Sequence, residues 1–355
     1  MKKYILYTAA IMAITVSSCR KIETDGEIQV VVVNGGGGGG GSTTGQTITL
    51  QGRINADTVL RKANSYILKG IVYMVGNHTM TIEAGTVIKG SFSGSDVAAL
   101  VITRGSKIIA PGTATDPIIF TSLSPNPQSG DWGGIVLCGK AGYNLSYNGT
   151  AGLYQVEGGI DNANGDGLAG SGDAVAPTPV ANDNSGVLQY VRIEYAGYAF
   201  QPDKEINSLT MAAVGSGTII DHIQVTYAKD DAFEWFGGSV NCSYLIAYKT
   251  QDDDFDTDNG YNGKVQFGLV LRDSLIADIS TSEAFESDGN ATGTTAAPKT
   301  TAIFSNITAI GPRATLNNLG STLFRGATHI RRNSGISIFN SIIMGWPRGI
   351  EIDAT

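Results

Sequence analysis

Two acidic runs, 22 residues apart, contain the side chains of this sequence that are best suited to chemistry. Residues 229–234 read KDDAFE, and residues 251–256 repeat the pattern as QDDDFD. Carboxylates that lie close together in space can bind a divalent cation, or can act as the acid and the base in glycoside hydrolysis. The core of the pattern returns at residues 284–286 as AFE and at residues 349–351 as GIE. The spacing of these runs therefore decides which carboxylates can meet.

A shift of 22 residues is a natural length for one coil of a parallel β-helix, in which each coil stacks on the one before it. Because a strand sends alternate side chains to opposite faces, the apolar member of each repeat should point inward and the acidic member outward. The predicted internal ladder is Phe233, Phe255, Phe285, Phe324 and Ile350. The predicted external column is Glu234, Asp256, Glu286, Arg325 and Glu351, with an arginine in one acidic position.

Carboxylates in adjacent coils, about 4.8 Å apart, repel each other by about 3 kcal/mol at an effective dielectric constant of about 20. A bound Ca2+ relieves this repulsion, because it accepts several carboxylate and carbonyl oxygens in a flexible geometry. We therefore expect a calcium site with the ligands Glu234, Asp254, Asp256, Asp258 and Glu286. The alternative is a hydrated acidic face with ordinary Asp and Asn turns, in which the repulsion falls below about 1 kcal/mol.

A second calcium candidate lies in a loop rich in Gly and Asn. Asn162, Asn164 and Asp166 match positions 1, 3 and 5 of the calcium-loop pattern, and Asp173 matches position 12. Asn replaces the usual Asp at the first position and Asp replaces Glu at the last, and these departures lower the charge and the affinity of the site. Such a match also arises by chance in a loop of this composition, so both interpretations stay open.

The rest of the sequence predicts the fold that positions these residues. From Ile54 onward, short β runs alternate with Gly, Asn and Asp turns, and helical periodicity is almost absent. A repeat near 22 residues with apolar side chains in one register builds a continuous core from neighbouring coils alone. We therefore expect an all-β, single-stranded parallel β-helix, a β-solenoid, over residues 48–355. The polar stretches at residues 154–184 and 287–299 are expected to be side loops inserted between coils.

Composition restricts the partners. The net charge is -8 and the pI is about 4.9, so no broad basic surface is available for nucleic acid. Cys138 and Cys242 both lie in apolar, strand-like runs, where they could form a disulfide or remain free thiols. No Cys and His spacing suggests a zinc site.

The N-terminus is predicted to be a lipoprotein signal peptide over residues 1–18. Lys2 and Lys3 precede an apolar stretch of about 13 residues, which spans only about 20 Å as a helix against a hydrocarbon core of about 30 Å. The VSSC sequence that ends at Cys19 resembles the bacterial lipobox, which implies that Cys19 is lipidated and anchors the protein to a membrane. Residues 19–47, with seven consecutive glycines, are expected to form a flexible tether.

Several longer segments resemble a known family: GDWGGIVLCGKA, NSGVLQYVRIEYAG, KDDAFEWFGGSVN and DDDFDTDNGYNGKVQFGLVLRD. They are similar to those of Bacteroidetes cell-surface lipoproteins that have a right-handed parallel β-helix, similar in fold to pectate lyases. The resemblance implies a right-handed solenoid on an outer-membrane lipoprotein, exposed at the cell surface, and it supplies no activity. Residues 352–355 follow a coil-like strand without the cap that such folds normally have. We therefore expect the sequence to be incomplete at its C-terminus.

Catalysis remains open. Lyases similar in fold to pectate lyase use bound Ca2+ and a basic side chain, a role that Arg325 would suit. The pairs Asp230–Asp231 and Asp252–Asp253 would suit a glycoside hydrolase. However, both pairs precede the inward phenylalanine of their coils, and such repetition is typical of turn residues rather than of a unique active site. The three histidines are scattered in the sequence, so a Ser/His/Asp or metal-hydrolase site has no support.

Binding is the main functional hypothesis. An elongated, tethered wall offers area rather than a pocket, and favours a polysaccharide or another surface protein as its partner. Aromatic rings that face outward could stack on sugar rings, although tyrosines in such folds also pack in the core. The candidate tyrosines are Tyr190, Tyr195, Tyr198, Tyr227, Tyr244, Tyr248 and Tyr261.

Overall fold

The computed structural model describes residues 29–33, 45–160, 163–201, 204–318 and 320–353. The predicted signal peptide and Cys19 lie outside the described residues, as does most of the predicted tether. One part of that tether, Gln29–Val33, instead forms a strand that pairs antiparallel with Thr47–Gln51. No helix among the described residues is long and apolar enough to cross a membrane.

Short strands and turns make up the described chain, with one 3-10 helix at Gly94–Asp96. The strands, in chain order, are β1 (Gln29–Val33), β2 (Thr47–Ile54), β3 (Thr58–Leu60), β4 (Ser65–Met74), β5 (Thr79–Ile82), β6 (Val87–Gly90), β7 (Ala99–Ile102), β8 (Lys107–Pro111), β9 (Ile118–Ser122), β10 (Ile135–Cys138), β11 (Ser146–Tyr147), β12 (Thr150–Ala151), β13 (Leu153–Gln155), β14 (Leu168–Gly170), β15 (Gly186–Glu194), β16 (Ala199–Gln201), β17 (Lys204–Glu205), β18 (Leu209–Ala212), β19 (Ile219–Thr226), β20 (Phe233–Phe236), β21 (Asn241–Tyr248), β22 (Phe255–Asp258), β23 (Lys264–Leu271), β24 (Phe285–Asp288), β25 (Ile303–Ile310), β26 (Thr328–Arg331), β27 (Ser337–Phe339), β28 (Ile342–Met344) and β29 (Ile350–Ile352).

Parallel pairing arranges most of these strands in three sheets. Sheet A contains the second half of β4, then β7, β10, β18, β20, β22, β24, β26 and β29. Sheet B contains β3, β5 and β8, the first halves of β15, β19, β21, β23 and β25, and β27. Sheet C contains β6, β9, the second halves of the same five long strands, and β28. Beyond β6 it continues into the first halves of β4 and β2. Each coil passes through A, B and C in turn, so the predicted right-handed parallel β-helix is confirmed.

The first part of the predicted internal ladder is confirmed. Phe233 pairs with Phe255 and Phe255 with Phe285, and all three side chains are fully buried. Their ring centroids are 5.8 and 5.5 Å apart. Full burial of each ring stabilises the fold by roughly 1.5–3 kcal/mol. The ladder thus gives the middle coils a continuous aromatic core.

The predicted register is wrong for the next coil. Thr328 pairs with Phe285, so the position assigned to Phe324 belongs to Thr328, and the position assigned to Arg325 belongs to His329. Phe324 lies in the turn before β26, where its ring packs over the buried Arg272 guanidinium at 5.7 Å. The following coil has the expected register, since Ile350 pairs with Thr328, although its side chain is 64% exposed.

The outward face of sheet A changes character along the solenoid. Its central column runs through Tyr73, Val101, Val136, Thr210, Glu234, Asp256, Glu286, His329 and Glu351. The predicted side loop 154–184 covers the apolar part, where Tyr154, Val156 and Ile160 pack in a second hydrophobic cluster with Val101 and Val136. The acidic part of the column begins where this cover ends.

The second predicted side loop begins slightly later than expected, because Ser287 and Asp288 belong to β24. It contacts the segment before the first side loop: Asn144 Nδ2 donates hydrogen bonds to the carbonyls of Gly289 and Pro298 at 2.8 and 3.1 Å. The second insertion therefore lies next to this segment, whose Tyr143 in turn stacks against Tyr154 of the first insertion.

The two cysteines in the solenoid remain free thiols, and both are buried. Burial raises the pKa of each thiol to about 12. Both sulfurs therefore stay protonated and unreactive at neutral pH.

Candidate functional site

Carboxylates from three successive coils converge on the outer face of sheet A and on the turns that precede its strands. We call them the acidic cluster: Asp230, Asp231, Glu234, Asp252, Asp253, Asp256, Glu283 and Glu286. Three sets within it are close enough to share a cation, with one oxygen from each member within 4.8 Å of the others. They are the outer set (Asp230, Asp231, Asp252), the central set (Asp231, Glu234, Asp256) and the end set (Asp253, Glu283, Glu286).

The second Asp of each pair joins one coil to the next. The Asp231 carboxylate accepts a hydrogen bond from the backbone N–H of Asp253 at 2.9 Å, and the Asp253 carboxylate accepts one from the backbone N–H of Glu283 at 2.5 Å. Such carboxylates fix the stacking of the turns, as the repetition of the pair indicated. The first Asp of each pair, Asp230 and Asp252, remains partly exposed.

Burial dominates the electrostatics of the cluster. It raises the pKa of Asp231, Glu234 and Asp256 well above the ordinary range, and neighbouring carboxylates raise it further. Burial also raises the pKa of Asp252 to about 7. A low dielectric disfavours the charged form, and like charges nearby add to the effect. Ionising these carboxylates therefore costs free energy, and a bound cation would reduce that cost.

Arginines neutralise only one end of the cluster. Arg331 contacts Glu286 and lies 2.8 Å from Asp288, and Arg332 lies 2.6 Å from the other oxygen of Asp288. No lysine or arginine side chain that the structure describes forms an ion pair with a member of the central set. The negative charge is therefore least compensated at the centre.

Two oxygens of the cluster are buried and have no hydrogen-bond partner among the described residues, Glu283 Oε2 and Asp256 Oδ1. The Glu283 side chain is 0% exposed. A buried polar atom without a partner costs roughly 1–3 kcal/mol, and more when it is charged. A proton or a metal ion at these oxygens would remove that cost, so the donor set suits a hard, oxygen-binding cation.

A family model described as a pectate-lyase-like β-helix domain matches residues 52–355. The chain belongs to this family. The match begins at residue 52, within β2, covers the described solenoid from there onward, and agrees with the three-sheet architecture. No curated protein matches the sequence.

The β-helix domain brings together three of the five predicted calcium ligands, Glu234, Asp256 and Glu286, in one column of sheet A. Asp254 does not join them, because its carboxylate bonds Arg272 Nε at 2.9 Å in a pair whose side chains are both 0% exposed. Asp258 lies one column away and accepts two hydrogen bonds from Asn259, at 2.6 and 2.7 Å.

Glu283 is the member of the acidic cluster that sequence reasoning missed. It occupies the turn position that Asp253 has in the preceding coil, since the Asp253 carboxylate accepts the backbone N–H of Glu283. Aligning residues 282–286 (SEAFE) with residues 252–256 (DDDFD) would have shown it. The alignment was obscured because the shift between these coils is 30 residues rather than 22.

The structure does not bring together Asp166 and Asp173, the two acidic residues of the predicted calcium loop in the first insertion. Asp166 bonds Arg53 at 2.7 Å, whereas Asp173 bonds Arg104 at 2.6 Å. The two carboxylates therefore form ion pairs with different arginines. Both ion pairs connect the insertion to the solenoid. Asn162 lies outside the described residues, and Asn164 belongs to the same insertion.

Arg325, the candidate base of a lyase, lies in the turn before β26. It donates a hydrogen bond to Glu351 at 2.6 Å, and this pair raises the pKa of the guanidinium. A higher pKa opposes the loss of a proton, so the ion pair does not favour Arg325 as the base of a lyase. Of the Asp pairs, the partly exposed members Asp230 and Asp252 are the better placed for chemistry.

The domain divides the candidate tyrosines into two groups. Tyr261 is fully buried and stacks on Trp235 at 5.2 Å, so it packs in the core and is not a sugar-stacking candidate. The remaining six are at least partly exposed: Tyr190, Tyr195, Tyr198, Tyr227, Tyr244 and Tyr248. A further aromatic group adjoins the acidic cluster, where Tyr154 stacks against Tyr143 and Phe236 at 4.8 and 4.9 Å.

Proposed function

We propose that the protein binds extracellular polysaccharide through Ca2+ at the acidic cluster. The observation that supports this function is the central set, whose carboxylates approach within 4.8 Å without an ion pair to any described basic side chain. Ca2+ accepts six to eight oxygens, so the protein would supply some ligands and a polysaccharide carboxylate or hydroxyl the others. A uronate-containing chain is therefore the expected partner.

The surroundings of the cluster also suit a sugar chain. Asp230, Asp252 and Asp256 are partly exposed, so a ligand can reach oxygens that would hold the cation. Tyr154, partly exposed beside Glu234, offers an aromatic surface on which a sugar ring can pack. Carboxylates beside an aromatic wall combine the contacts that recognise an acidic sugar.

Binding is tested by electrophoresis through gels that contain polygalacturonate. In the presence of Ca2+ we expect the polygalacturonate gel to retard the protein, because the cation bridges the carboxylates of the protein and those of the polysaccharide. EDTA should weaken this interaction at least tenfold. Asp256→Asn should weaken retardation in Ca2+. Asp96→Asn is the matched control, since Asp96 is an exposed carboxylate paired with Lys69 far from the cluster. Equal retardation of all samples in Ca2+ and EDTA would contradict the proposal.

Glycoside hydrolysis is the second candidate, because Asp230 and Asp252 have carboxyl oxygens within 4.8 Å of each other and burial raises the pKa of both groups, that of Asp252 to about 7. Glycosidases use a pair of carboxyl groups, of which one has a raised pKa and acts as the acid. The products that form when the protein is incubated with polygalacturonate distinguish the activities. New reducing ends without ultraviolet absorbance indicate a hydrolase, absorbing unsaturated ends indicate a lyase, and neither product indicates a binding protein.

We also propose that the domain is anchored as a surface-exposed outer-membrane lipoprotein. The lipobox-like VSSC sequence and the Gly-rich tether support this location. Cys19→Ala should release the protein from membranes and abolish palmitate labelling, because the modified sulfur is removed. Cys138→Ala removes a buried free thiol and should leave labelling unchanged. Palmitate incorporation into the Cys19→Ala protein would refute the anchor.

A further inference from the structure

A stack of four rings lies on the corner between sheets B and C, away from the acidic cluster on sheet A. We call it the ring ladder: Tyr190, His222, Tyr244 and Phe267. Each ring comes from the bend of one long strand, and successive ring centroids are 4.3, 4.2 and 4.8 Å apart. Tyr244 and Phe267 are 44% and 39% exposed, so the stack presents a contiguous aromatic surface to solvent.

The backbone at these four positions is strained. Their φ angles are 49°, 53°, 55° and 65°, in the left-handed region that bulky residues rarely adopt. The next two coils have Asn306 and Asn340 at the same bend, with φ of 59° and 46°. Asn adopts this conformation readily, so the fold itself does not require a ring at the bend. Strain that the fold does not require points to a functional role for the rings.

A cavity of about 470 Å³ follows the ladder across five coils, from Tyr190 to Asn306. At about 4.8 Å per coil it is roughly 20 Å long. Arg192, Gln224, Ile246 and Leu269 form its floor, in one paired row of sheet C. Ala114 and Pro117 line the end below Tyr190. The shape suits a linear molecule that lies along the solenoid axis.

The cavity alternates apolar ring surface with hydrogen-bonding groups. Asp221 accepts a hydrogen bond from His222 Nδ1 at 2.8 Å and is itself bonded by Gln189 and Ser243, both at 2.9 Å. This pairing orients the His222 ring and directs Nε2 away from Asp221, as a group available to a ligand. The hydroxyls of Tyr190 and Tyr244 and the amide of Gln224 add further donors and acceptors.

No carboxylate is among the residues that line the cavity, and the lining cation, Arg192, is paired with Glu194. The site therefore has little net charge to attract an ionic ligand or a metal ion. A pyranose chain has apolar C–H faces and a rim of hydroxyls, which match the alternation of rings and polar groups.

We propose that the ring ladder is a second polysaccharide site, which binds a linear, neutral glycan along the solenoid axis without a cation. The site is independent of the calcium site proposed for the acidic cluster, because the two lie on different faces. Together they would let one domain contact two kinds of chain in an extracellular matrix.

The test replaces Tyr244 by the residue that the next coils have at the same bend. Tyr244→Asn relieves a strained ring position, so its melting temperature should stay close to that of the wild type. Electrophoresis in EDTA through gels with hydroxyethyl cellulose, xylan or glucomannan should show retardation of the wild type by at least one of them. Tyr244→Asn should reduce that retardation at least tenfold. Phe339→Asn is the control, since Phe339 is 57% exposed on β27 and does not line the cavity.

Phe267→Asn, beside Asn306, serves as a second variant if Tyr244→Asn does not fold. Asp256→Asn should leave retardation by neutral glycans unchanged. A loss of neutral-glycan binding at the ring ladder can therefore be distinguished from a loss of Ca2+-dependent binding at the acidic cluster. The proposal is overturned if none of the three polysaccharides retards the protein, or if the folded ladder variant is retarded as strongly as the wild type. It is also overturned if sedimentation shows that the ladder joins two copies of the chain and no glycan binds.

Discussion

Arg272→Met is expected to lower the free energy of unfolding by about 3–5 kcal/mol, because it removes one partner of a buried ion pair. Arg272 and Asp254 are both 0% exposed, with Nε and the carboxylate 2.9 Å apart. The guanidinium also donates to the carbonyl of Thr250 at 2.7 Å and to those of Asp252 and Glu283. The substitution leaves these acceptors and an uncompensated carboxylate inside the solenoid. The loss is a large fraction of the 5–15 kcal/mol that typically stabilises a domain.

The double variant Arg272→Met, Asp254→Leu separates the ion pair from the packing. Removing both charges of a buried pair is much less costly than removing one, so the double variant should recover part of the loss. Urea unfolding of the wild type, the two single variants and the double variant forms a complete cycle. Equal losses for Arg272→Met and for the double variant would show that the carboxylate is not the source of the instability.

The ion pair also marks the limit of what the sequence could predict. Strand alternation placed Glu234 and Asp256 correctly, because both lie within β20 and β22 and the coils between them have no insertion. Asp254 precedes β22, where the chain turns and alternation no longer holds, so its side chain meets Arg272 instead of the outer column. A partner 18 residues away in another turn leaves no periodic signal.

The misplaced coil has a similar physical origin. The sequence LFRGA at residues 323–327 imitates the repeated pattern of an apolar and a charged residue. The true strand begins at Thr328, whose small side chain gives no apolar signal at the inward position. Phe324 is still buried, at 3% exposure, but in the preceding turn. The apolar character of Phe324 therefore predicted that its ring is buried. Only the pairing of the backbone strands could show that the ring lies in the turn and not in the strand.

Saturating Ca2+, at about one hundred times its dissociation constant, is expected to raise the free energy of unfolding by roughly 2.7 kcal/mol if only the folded protein binds it. The central set supplies the reason, since burial and mutual repulsion raise the pKa of Glu234 and Asp256 in the absence of a cation. Chelation by EDTA should remove the added stability. Thermal melts at fixed ionic strength measure both changes.

The same carboxylates predict how pH acts in EDTA. Asp252 and Asp258 have pKa values of about 7 in the folded chain, raised chiefly by burial, against an ordinary value near 4 in the unfolded chain. The folded state therefore binds more protons, and its stability falls as pH rises from about 4 through 7. Without Ca2+ the protein should melt higher at pH 5 than at pH 8. With Ca2+ the difference should shrink, because the cation replaces the protons.

Asp256→Asn distinguishes a cation site from a hydrated acidic surface by the sign of its effect. In Ca2+ the variant should be less stable than the wild type, because a charged ligand is lost. In EDTA it should be more stable, because a repulsion with the neighbouring carboxylates is relieved and a neutral amide replaces a buried acid. Asp96→Asn should give the same small shift in both buffers, since that carboxylate is exposed and lies outside the cluster. If Asp256→Asn behaves like this control, the acidic cluster is a hydrated acidic surface rather than a cation site.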